Sequence, residues 1–348
     1  MIDAPTASLV SPHGGRRIAI PLLSQPPVVP DGAIHRVAGA TMGTTWEVSV
    51  VLRDGARLEA IGRRIQTRLD GIVAEMSTWR DDSDLRCFND AAPGFVTSIP
   101  AAFAAVLTCA LDVAALSGGT YDPTVGPLVN LWGFGPERRV DTPPCLDEVD
   151  AARRRVGYMR VAFEPHARRL TQPGGMYLDF SAIAKGFAVD AVIDVLRHEG
   201  CSSALVDIGG ELRGMGIKPD GQPWWVSLER PALRCASDGD QPEETVLALC
   251  DLAVATSGDY RRFFDHDGRR YAHTIDPRTG WPARDVASVT VVDSSCMRAD
   301  ALSTALTVLG VVDGLRFCDA HQVSALFIMR DGDRLAEHLS PAFEALLA

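Results

Sequence analysis

One segment of the chain carries two oxygen groups at a spacing that suits a hard metal ion. Asp300 and Thr304, in the run DALSTA, lie four residues apart within a helix predicted over 297–309. This spacing places both side chains on one face of the helix, about one turn apart. A carboxylate and a hydroxyl, completed by carbonyls and waters, suit Mg²⁺, which prefers oxygen ligands. The spacing alone favours a structural alternative, in which Asp300 caps the helix and Thr304 packs against a sheet.

A second segment, DFSAIAKG, places a lysine just inside a predicted helix. Asp179 ends a strand predicted over 176–179, and the helix is predicted over 182–198. A helix N-terminus with Lys185 in its first turns is suited to an anion such as phosphate. The alternatives are that the segment only caps the helix and that Lys185 is a solvated surface charge. The chain has only one other lysine, Lys218, and arginine could not replace this ammonium without changing the geometry.

A single histidine stands directly before a turn. His273 opens the run HTIDPRTG and lies on a strand predicted over 270–275, which a DHDG turn joins to a strand over 260–264. An imidazole at the end of a strand beside a cleft could act as a general base near neutral pH. The alternative is a structural role, because the chain has eight histidines and most of them need not take part in chemistry.

Other segments could contact a flat heterocycle. Trp79 could stack on a ring or cover an edge of the core. The run TYDPTVGP, which begins at Thr120, enters a structured loop predicted over 121–135; it offers an aromatic face and a carboxylate, or only packs the rim of the core. The turns at 39–44 and 257–262 consist mostly of small residues, which let a backbone approach a ligand closely but are equally ordinary connections.

The elements that must position these groups predict an α+β fold. Apolar residues at helical spacing predict helices over 57–76 and 100–116, and β-branched runs predict strands between the helices. Several strand pairs are joined by tight turns, so we expect mixed or largely antiparallel sheets flanked by helices. Neither GxGxxG nor a P-loop motif occurs, so nothing in the sequence favours the usual dinucleotide or P-loop sites.

Bulk properties narrow the function further. The 348 residues carry a net charge of −11, which argues against non-specific binding to nucleic acid or to an anionic membrane. Eight cysteines without a CxxC pair predict reduced thiols. No run approaches the ~20 apolar residues of a membrane span. Residues 1–33 lack the apolar core of a signal peptide. We therefore expect a disordered N-terminal tail, one domain over 34–348 and a cytoplasmic location, with the periplasm as the alternative.

Taken together and in order, these runs resemble the ApbE family of FAD:protein FMN transferases. The set consists of GATMGT, MSTW, TYDPTVGPLVNLWGFG, DFSAIAKG, ALVDIGGELR, TSGDY, HTIDPRTG and DALSTA, and it extends from about Val37 to Leu339. The resemblance implies a T-fold-like architecture with an FAD cleft between subdomains. It also implies an enzyme that uses Mg²⁺ to split the pyrophosphate of FAD. Such an enzyme transfers FMN through a phosphoester bond to a Thr or Ser hydroxyl of a target flavoprotein and releases AMP.

The resemblance also implies roles for individual residues. His273 would be the general base near the pyrophosphate. The Mg²⁺ ligands would be Asp300, Thr304 and the carbonyl of Ala182, with a contribution from Ser303. The positions that contact FAD in the family correspond here to Met42, Trp79, Thr120, Tyr121, Asp122, Asp179, Lys185, His273 and Ile275.

Two departures from the family pattern qualify these roles. Trp79 stands where many members have tyrosine, so stacking would survive but a phenolic hydrogen bond would not. The chain also lacks the lipobox cysteine of exported members, which agrees with the expected cytoplasmic location. Two other functions stay open at this point. One is an FAD pyrophosphatase, in which water attacks to give FMN and AMP, and the other is a flavin-binding protein without turnover.

Overall fold

A central antiparallel sheet organises the chain. The computed structural model describes residues 16–21, 26–137, 139–231, 244–331 and 334–347. All neighbouring strands of the central sheet run antiparallel. In spatial order they are β16 (Arg334–Leu339), β15 (Ser324–Asp331), β14 (Val286–Asp293), β11 (Ala253–Gly258), β8 (Glu211–Met215), β7 (Ala204–Ile208), β3 (Thr44–Leu52) and β2 (Ala33–Thr41). The predicted α+β class with largely antiparallel sheets is therefore confirmed.

Three smaller sheets accompany the central one. A hairpin precedes His273, and the other two sheets have three strands each. The hairpin is β12 (Phe263–His266) and β13 (Arg269–Ala272). The three-stranded sheets are β1 (Arg16–Ala19), β10 (Glu244–Leu249) and β9 (Trp224–Ser227), then β4 (Val96–Ser98), β6 (Arg169–Thr171) and β5 (Ala162–Glu164). The strand predicted over 270–275 thus ends at Ala272, one residue before the histidine.

Eight α-helices lie in the described part of the chain. They are α1 (Leu58–Met76), α2 (Asp84–Asn89), α3 (Ala101–Leu116), α4 (Gly126–Leu131), α5 (Leu146–Arg153), α6 (Ala184–His198), α7 (Cys296–His321) and α8 (Pro341–Glu344). The helix α4 lies inside the segment 121–135 that the sequence predicts as a loop, because Gly and Pro there begin a short helix. The helix predicted over 297–309 continues to His321 after a break at Gly310, whose φ of 74° and ψ of 178° are not helical.

The helices cover one face of the central sheet. Alternate residues of β3, including Trp46 and Val48, point into a core shared with α1, α3, α6 and α7. The opposite face of the sheet packs against the sheet of β1, β10 and β9 around Leu247 and Phe343. A third apolar cluster surrounds Trp132 beside the hairpin of β12 and β13. The central sheet is therefore buried on both faces, and its strand ends carry the polar groups described below.

The helix α7 is long and apolar enough to cross a membrane by length and composition alone. Half of its most apolar window is buried inside the protein, where it packs against β11 and β14. No other helix in the described part of the chain meets this test. The apolar side of α7 is thus accounted for by the core.

Residues 16–19 of the N-terminal segment form a strand. Within residues 1–33, which the sequence predicts to be a disordered tail, β1 pairs in parallel with β10. The main-chain N–H of Ile20 also donates to the carbonyl of Leu346. The structure therefore differs from the predicted tail at these residues, because β10 offers an edge whose main-chain groups need partners. Residues 1–15 and 22–25 lie outside the described part of the chain.

Candidate active site

A close approach of two helices places the Asp300 carboxylate at the N-terminus of α6. Gly186 in the first turn of α6 donates its main-chain N–H to Oδ2 of Asp300 over 3.0 Å. A Cβ at Gly186 would lie 2.3 Å from the carbonyl oxygen of Cys296 and 2.8 Å from Cβ of Asp300. Only glycine therefore permits this contact. Asp300 itself is 4% exposed, so its charge is held in a nearly dry environment.

A second contact between the same helices fixes where α7 begins. The carboxylate of Asp190, on α6, accepts hydrogen bonds from the main-chain N–H groups of Cys296 and Met297 over 3.1 and 3.0 Å. It also accepts one from the hydroxyl of Ser295 over 2.9 Å and forms an ion pair with Arg213. These bonds satisfy the free N–H groups of the first turn of α7. Asp190 therefore sets the position of Asp300 relative to the start of α6.

Three hydroxyls lie together beside Asp300. The hydroxyl of Ser303 donates to the main-chain carbonyl of Asp300 over 2.8 Å and lies 2.8 Å from Oγ of Ser257. The hydroxyl of Thr304 lies 2.9 Å from the same Ser257 oxygen. The structure thus brings together the predicted residues Asp300, Ser303 and Thr304 and adds Ser257 from β11. Ser303 is fully buried and its proton is already used, which leaves Thr304 as the more accessible hydroxyl.

The charges around Asp300 do not balance. Lys185 forms an ion pair with Glu211, at the start of β8, and Glu211 is 2% exposed. Burial alone would lower the pKa of Lys185, but Glu211 and Asp300 together raise it above its ordinary value. Burial raises the pKa of both Glu211 and Asp300, against the lowering effect of Lys185. Two buried carboxylates therefore share one ammonium, and burial favours binding of a proton or a further cation to them.

These donors fit a hard divalent cation. The atom Oε2 of Glu211 is buried without a hydrogen-bond partner in the described part of the chain, and among the described residues the carboxylate of Asp300 accepts a hydrogen bond only from Gly186. Carboxylate, hydroxyl and carbonyl oxygens are the ligands that Mg²⁺ prefers. The described residues contain no cluster of three or more His, Cys, Asp or Glu at metal-binding distance. A cation here would therefore rely on Asp300, the Thr304 hydroxyl and the carbonyl of Ala182, which lies in the turn before α6.

His273 is held in one tautomer. Its main-chain N–H donates to the carbonyl oxygen of Arg262 over 3.1 Å, and its Nδ1 lies 3.2 Å from the same oxygen. Because a carbonyl oxygen only accepts, Nδ1 carries the ring proton and Nε2 presents its lone pair. Burial lowers the pKa of His273 to about 4, and the charge of Lys185 contributes to this lowering. The imidazole is therefore neutral at pH 7, with a pKa well below its ordinary value.

An aromatic cluster supports the turn around His273. The rings of Trp132 and Tyr271 stack with centroids 5.5 Å apart, and the rings of Phe134 and His273 lie edge to face with centroids 6.3 Å apart. The indole N–H of Trp132 donates to the carbonyl oxygen of Gly280 over 2.8 Å, which ties the HTIDPRTG turn to α4. Ile275 is buried in the same cluster. The predicted FAD contact at Ile275 therefore has a packing role in this structure, and its contact with FAD stays a prediction.

The loop before α4 leaves two hydroxyls without partners. The carboxylate of Asp122 accepts from the N–H and hydroxyl of Thr124 over 2.8 and 2.6 Å and from the N–H of Tyr158 over 2.9 Å. Asp122 thus shapes the loop with both oxygens. The hydroxyls of Thr120 and Tyr121 are buried with no hydrogen-bond partner in the described part of the chain. Such groups are available to a ligand.

Asp179 connects this loop to α6. Its N–H donates to the carbonyl of Pro123 over 2.8 Å, and its Oδ1 accepts from the N–H of Ser181 over 2.7 Å. The strand predicted over 176–179 does not form, because the side-chain amide of Asn89 takes both main-chain groups of Leu178. Asp179 therefore stabilises the turn that leads to Lys185 but does not cap α6, whose N-cap residue is Ile183. The contact of Asp179 with FAD stays a prediction.

The two remaining predicted FAD contacts lie at chain turns. Met42 adopts a left-handed conformation with φ of 48°, next to Gly43 with φ of 72°, in the turn from β2 to β3. Such a conformation is uncommon for a residue with a side chain, and it holds Met42 partly against the main core. Trp79 lies between α1 and α2 with 54% of its surface exposed. The exposed aromatic face of Trp79 is compatible with stacking on a ring. Contact with FAD stays a prediction for both Met42 and Trp79.

A cavity of about 690 Å³ is separate from these groups. Its walls include Glu47, Asp207 and Arg261. Glu47 and Asp207 alternate along their strands with residues of the main core, so the cavity lies on the face of the sheet away from the helices. None of the predicted site residues lines it.

Two site residues were not predicted from the sequence. Glu211 lies in the run ALVDIGGELR, which contributed to the resemblance, but no role was assigned to it. The sequence signal that could have identified it is a charged residue at the start of an otherwise largely apolar strand. Ser257 lies in one of the small-residue turns considered above, and its pairing with Ser303 and Thr304 depends on the packing of β11 against α7.

The chain is similar in sequence to proteins of the ApbE family. The profile of the ApbE family matches residues 42–327. The FAD:protein FMN transferase of Vibrio cholerae is 38% identical over 324 residues, which cover 92% of this chain and 94% of that protein. The FAD:protein FMN transferase of Escherichia coli K12 is 34% identical over 313 residues, which cover 89% of this chain and 88% of that protein.

Solved structures agree with these sequence relatives. The apo form of the flavinyl transferase ApbE of Pseudomonas stutzeri superimposes with a TM-score of 0.82 at 38% identity, over 90% of this chain and 96% of that one. The flavin transferase ApbE of Vibrio cholerae gives a TM-score of 0.81 at 38% identity, over 90% and 99% of the two chains. The central sheet and its helices therefore follow the fold of these transferases.

Proposed function

The chain belongs to the ApbE family and is a flavin transferase, and we propose that it moves the FMN moiety of FAD onto a hydroxyl of an acceptor flavoprotein. In this reaction the oxygen of a Thr or Ser hydroxyl attacks the phosphorus of the FMN half of FAD. The bond from that phosphorus to the bridging oxygen breaks, and AMP leaves. The phosphoester bond holds FMN on the acceptor, and the hydroxyl proton passes to a base.

The observation that carries this proposal is the buried Asp300 carboxylate at the N-terminus of α6. This carboxylate accepts a hydrogen bond from Gly186, the residue after Lys185. The ammonium of Lys185 and the N-terminus of α6 would hold the negative charge of the pyrophosphate. Asp300, Thr304 and Ala182 would hold Mg²⁺, which would neutralise phosphate charge when bound. Transfer of a phosphoryl-type group depends on such positioning and neutralisation more than on covalent chemistry by the protein.

His273 is proposed as the base. Because its Nδ1 proton is bonded to the carbonyl of Arg262, its Nε2 lone pair would accept the hydroxyl proton. The low pKa keeps the ring neutral before substrate binds. The negative charge of a bound pyrophosphate would raise that pKa and make the ring a better base in the complex.

The proposal is tested by FAD turnover with and without an acceptor. The full chain is incubated with FAD and Mg²⁺, alone or with a flavoprotein domain that carries an exposed Thr in its flavin attachment motif. AMP is measured by chromatography and the acceptor by intact mass. A mass gain of one FMN phosphoester on the acceptor, with AMP in equal amount, supports transfer. Free FMN and AMP with several unmodified acceptors would instead mean that water is the nucleophile.

A further inference from the structure

Glu211 is a buried charge that the proposed reaction does not yet use. It is the first residue of β8, follows the Gly209–Gly210 turn and points to the helix side of the central sheet. One carboxylate oxygen, Oε1, bonds to the ammonium of Lys185, and the other, Oε2, is buried with no hydrogen-bond partner in the described part of the chain. A buried carboxylate oxygen without a hydrogen-bond partner is destabilising, and its presence in the folded protein points to a function.

The surroundings of Lys185 suggest what that function is. Its ammonium faces two carboxylates, Glu211 and Asp300, and one further cation, Arg261. The Arg261 guanidinium is itself bonded to the carbonyl of Gly209 and to Glu229. Asp300, on α7, accepts a hydrogen bond from Gly186, the residue next to Lys185, and so lies beside the first turn of α6. The ammonium therefore has two possible partners, and in this structure it bonds to Glu211.

The choice of partner matters for the cation site. A buried ammonium without a partner is strongly unfavourable, so Lys185 must pair with whichever carboxylate remains. If Glu211 were neutral, Asp300 would be the carboxylate left for it. The Lys185 ammonium would then form an ion pair with Asp300, which is the carboxylate that the proposed site offers to a divalent cation. The ammonium would also turn away from the phosphate.

We propose that Glu211 is a positioning residue that holds the Lys185 ammonium away from Asp300, so that Asp300 is free for a divalent cation and Lys185 is free to meet phosphate. This inference rests on the proposed function, because it assigns the cation to Asp300. It differs from a purely structural role for Glu211, which would affect unfolding but not the affinity of the folded protein for a cation.

The test compares four proteins in Mg²⁺ binding without FAD, measured by titration calorimetry on the full chain. They are the wild type, Glu211→Gln, Lys185→Met and the double variant. Glu211→Gln is expected to weaken Mg²⁺ binding by about tenfold or more, because the ammonium moves to Asp300. The double variant is expected to recover most of the wild-type affinity, because no ammonium is left to compete. This recovery is a non-additive effect that independent structural damage would not produce.

A matched control removes a different ion-paired glutamate of the central sheet. Glu337 on β16 is paired with Arg17 and Arg230, at the opposite end of the strand order from β3 and β2. Glu337→Gln is expected to leave Mg²⁺ binding and transfer unchanged. Thermal unfolding of every variant is measured to verify that each protein is folded at the temperature of the Mg²⁺ titration. If Glu211→Gln does not fold, Glu211→Ala also removes the charge and provides the same comparison.

The outcomes separate this inference from the proposed function. Wild-type binding of Mg²⁺ with unchanged binding by folded Glu211→Gln overturns the positioning role, as does a double variant as weak as Glu211→Gln. A wild type that neither binds Mg²⁺ nor modifies any acceptor contradicts the proposed function itself. In the transfer assay at saturating Mg²⁺, Glu211→Gln is expected to raise KM for FAD by about tenfold, because Lys185 no longer faces the phosphate.

Discussion

Replacement of His273 by alanine tests the proposed base directly. The imidazole is neutral and its Nδ1 proton is bonded to the carbonyl of Arg262, so the variant removes one basic nitrogen, Nε2. No ion pair involving His273 appears among the described residues, and the turn that follows is held separately by the bond from Trp132 to Gly280. We therefore expect His273→Ala to fold and to bind FAD with nearly unchanged affinity.

The size of the expected loss follows from the basicity of the ring. General base catalysis contributes about 10²–10⁴-fold, and it is most effective when the pKa of the base is near the working pH. A pKa of about 4 lies well below neutral pH. We therefore expect a loss near the lower limit, about 10²-fold in the transfer rate, or ~2.7 kcal/mol in the barrier.

The same pKa predicts the pH dependence of the wild type. At pH 5.5 a histidine with a pKa of 4 is about 97% neutral, whereas one with a pKa of 6.5 is about 9% neutral. Protonation of His273 should therefore not reduce kcat/KM, which reports the free enzyme, until the pH falls below about 5. A solvated histidine would instead cause a loss of about tenfold between pH 7.5 and 5.5.

The assay is acceptor flavinylation under single-turnover conditions at saturating Mg²⁺, from pH 5 to 8.5 at constant ionic strength. FAD affinity is measured by fluorescence quenching on the same samples. Transfer by His273→Ala within a few-fold of the wild type at pH 7.5 would refute the role of base. At FAD concentrations well below KM, where the rate reports the free enzyme, an acid limb near pH 6.5 that is present in the wild type and absent from the variant would show that His273 is solvated, against the burial argument.

Three further predictions concern the contact of α6 with α7. Asp300→Asn is expected to raise the Mg²⁺ concentration for half-maximal transfer by about tenfold or more, and an unchanged titration would remove Asp300 from the cation site. Gly186→Ala should also weaken Mg²⁺ binding, because its Cβ forces the helices apart. As a control, Gly71→Ala, where a Cβ meets nothing within 4 Å, should stabilise the protein by about 0.5–1 kcal/mol. If the two variants had equal effects on urea unfolding and on Mg²⁺ binding by calorimetry, this prediction would be contradicted. Asp190→Ala should lower the free energy of unfolding by about 3 kcal/mol, because Arg213 loses its partner and α7 its cap, and a loss below 1 kcal/mol would contradict the anchoring role.

Local sequence patterns were sufficient to predict most of the fold. The apolar spacing over 57–76 and 100–116 predicted α1 and α3 to within a residue, because that spacing specifies a helix with one buried face. The patterns failed where long-range contacts decide the conformation. The extended run at 176–179 has no strand partner, because Asn89 takes the main-chain groups of Leu178. The helix α4 forms in a segment rich in Gly and Pro, where the pattern predicts a loop.

The sequence by itself determined which groups are present and which of them share a helix face. Asp300 and Thr304 are one turn apart because a helix has 3.6 residues per turn, and no tertiary contact is needed for that conclusion. The order of the motifs was likewise sufficient to predict the family. The partners of these groups came only from the tertiary structure. Glu211 meets Lys185 and Ser257 meets Thr304 across long stretches of chain. The pKa of His273 is low because distant segments pack around the partly buried ring, and such packing is a property that no local pattern contains.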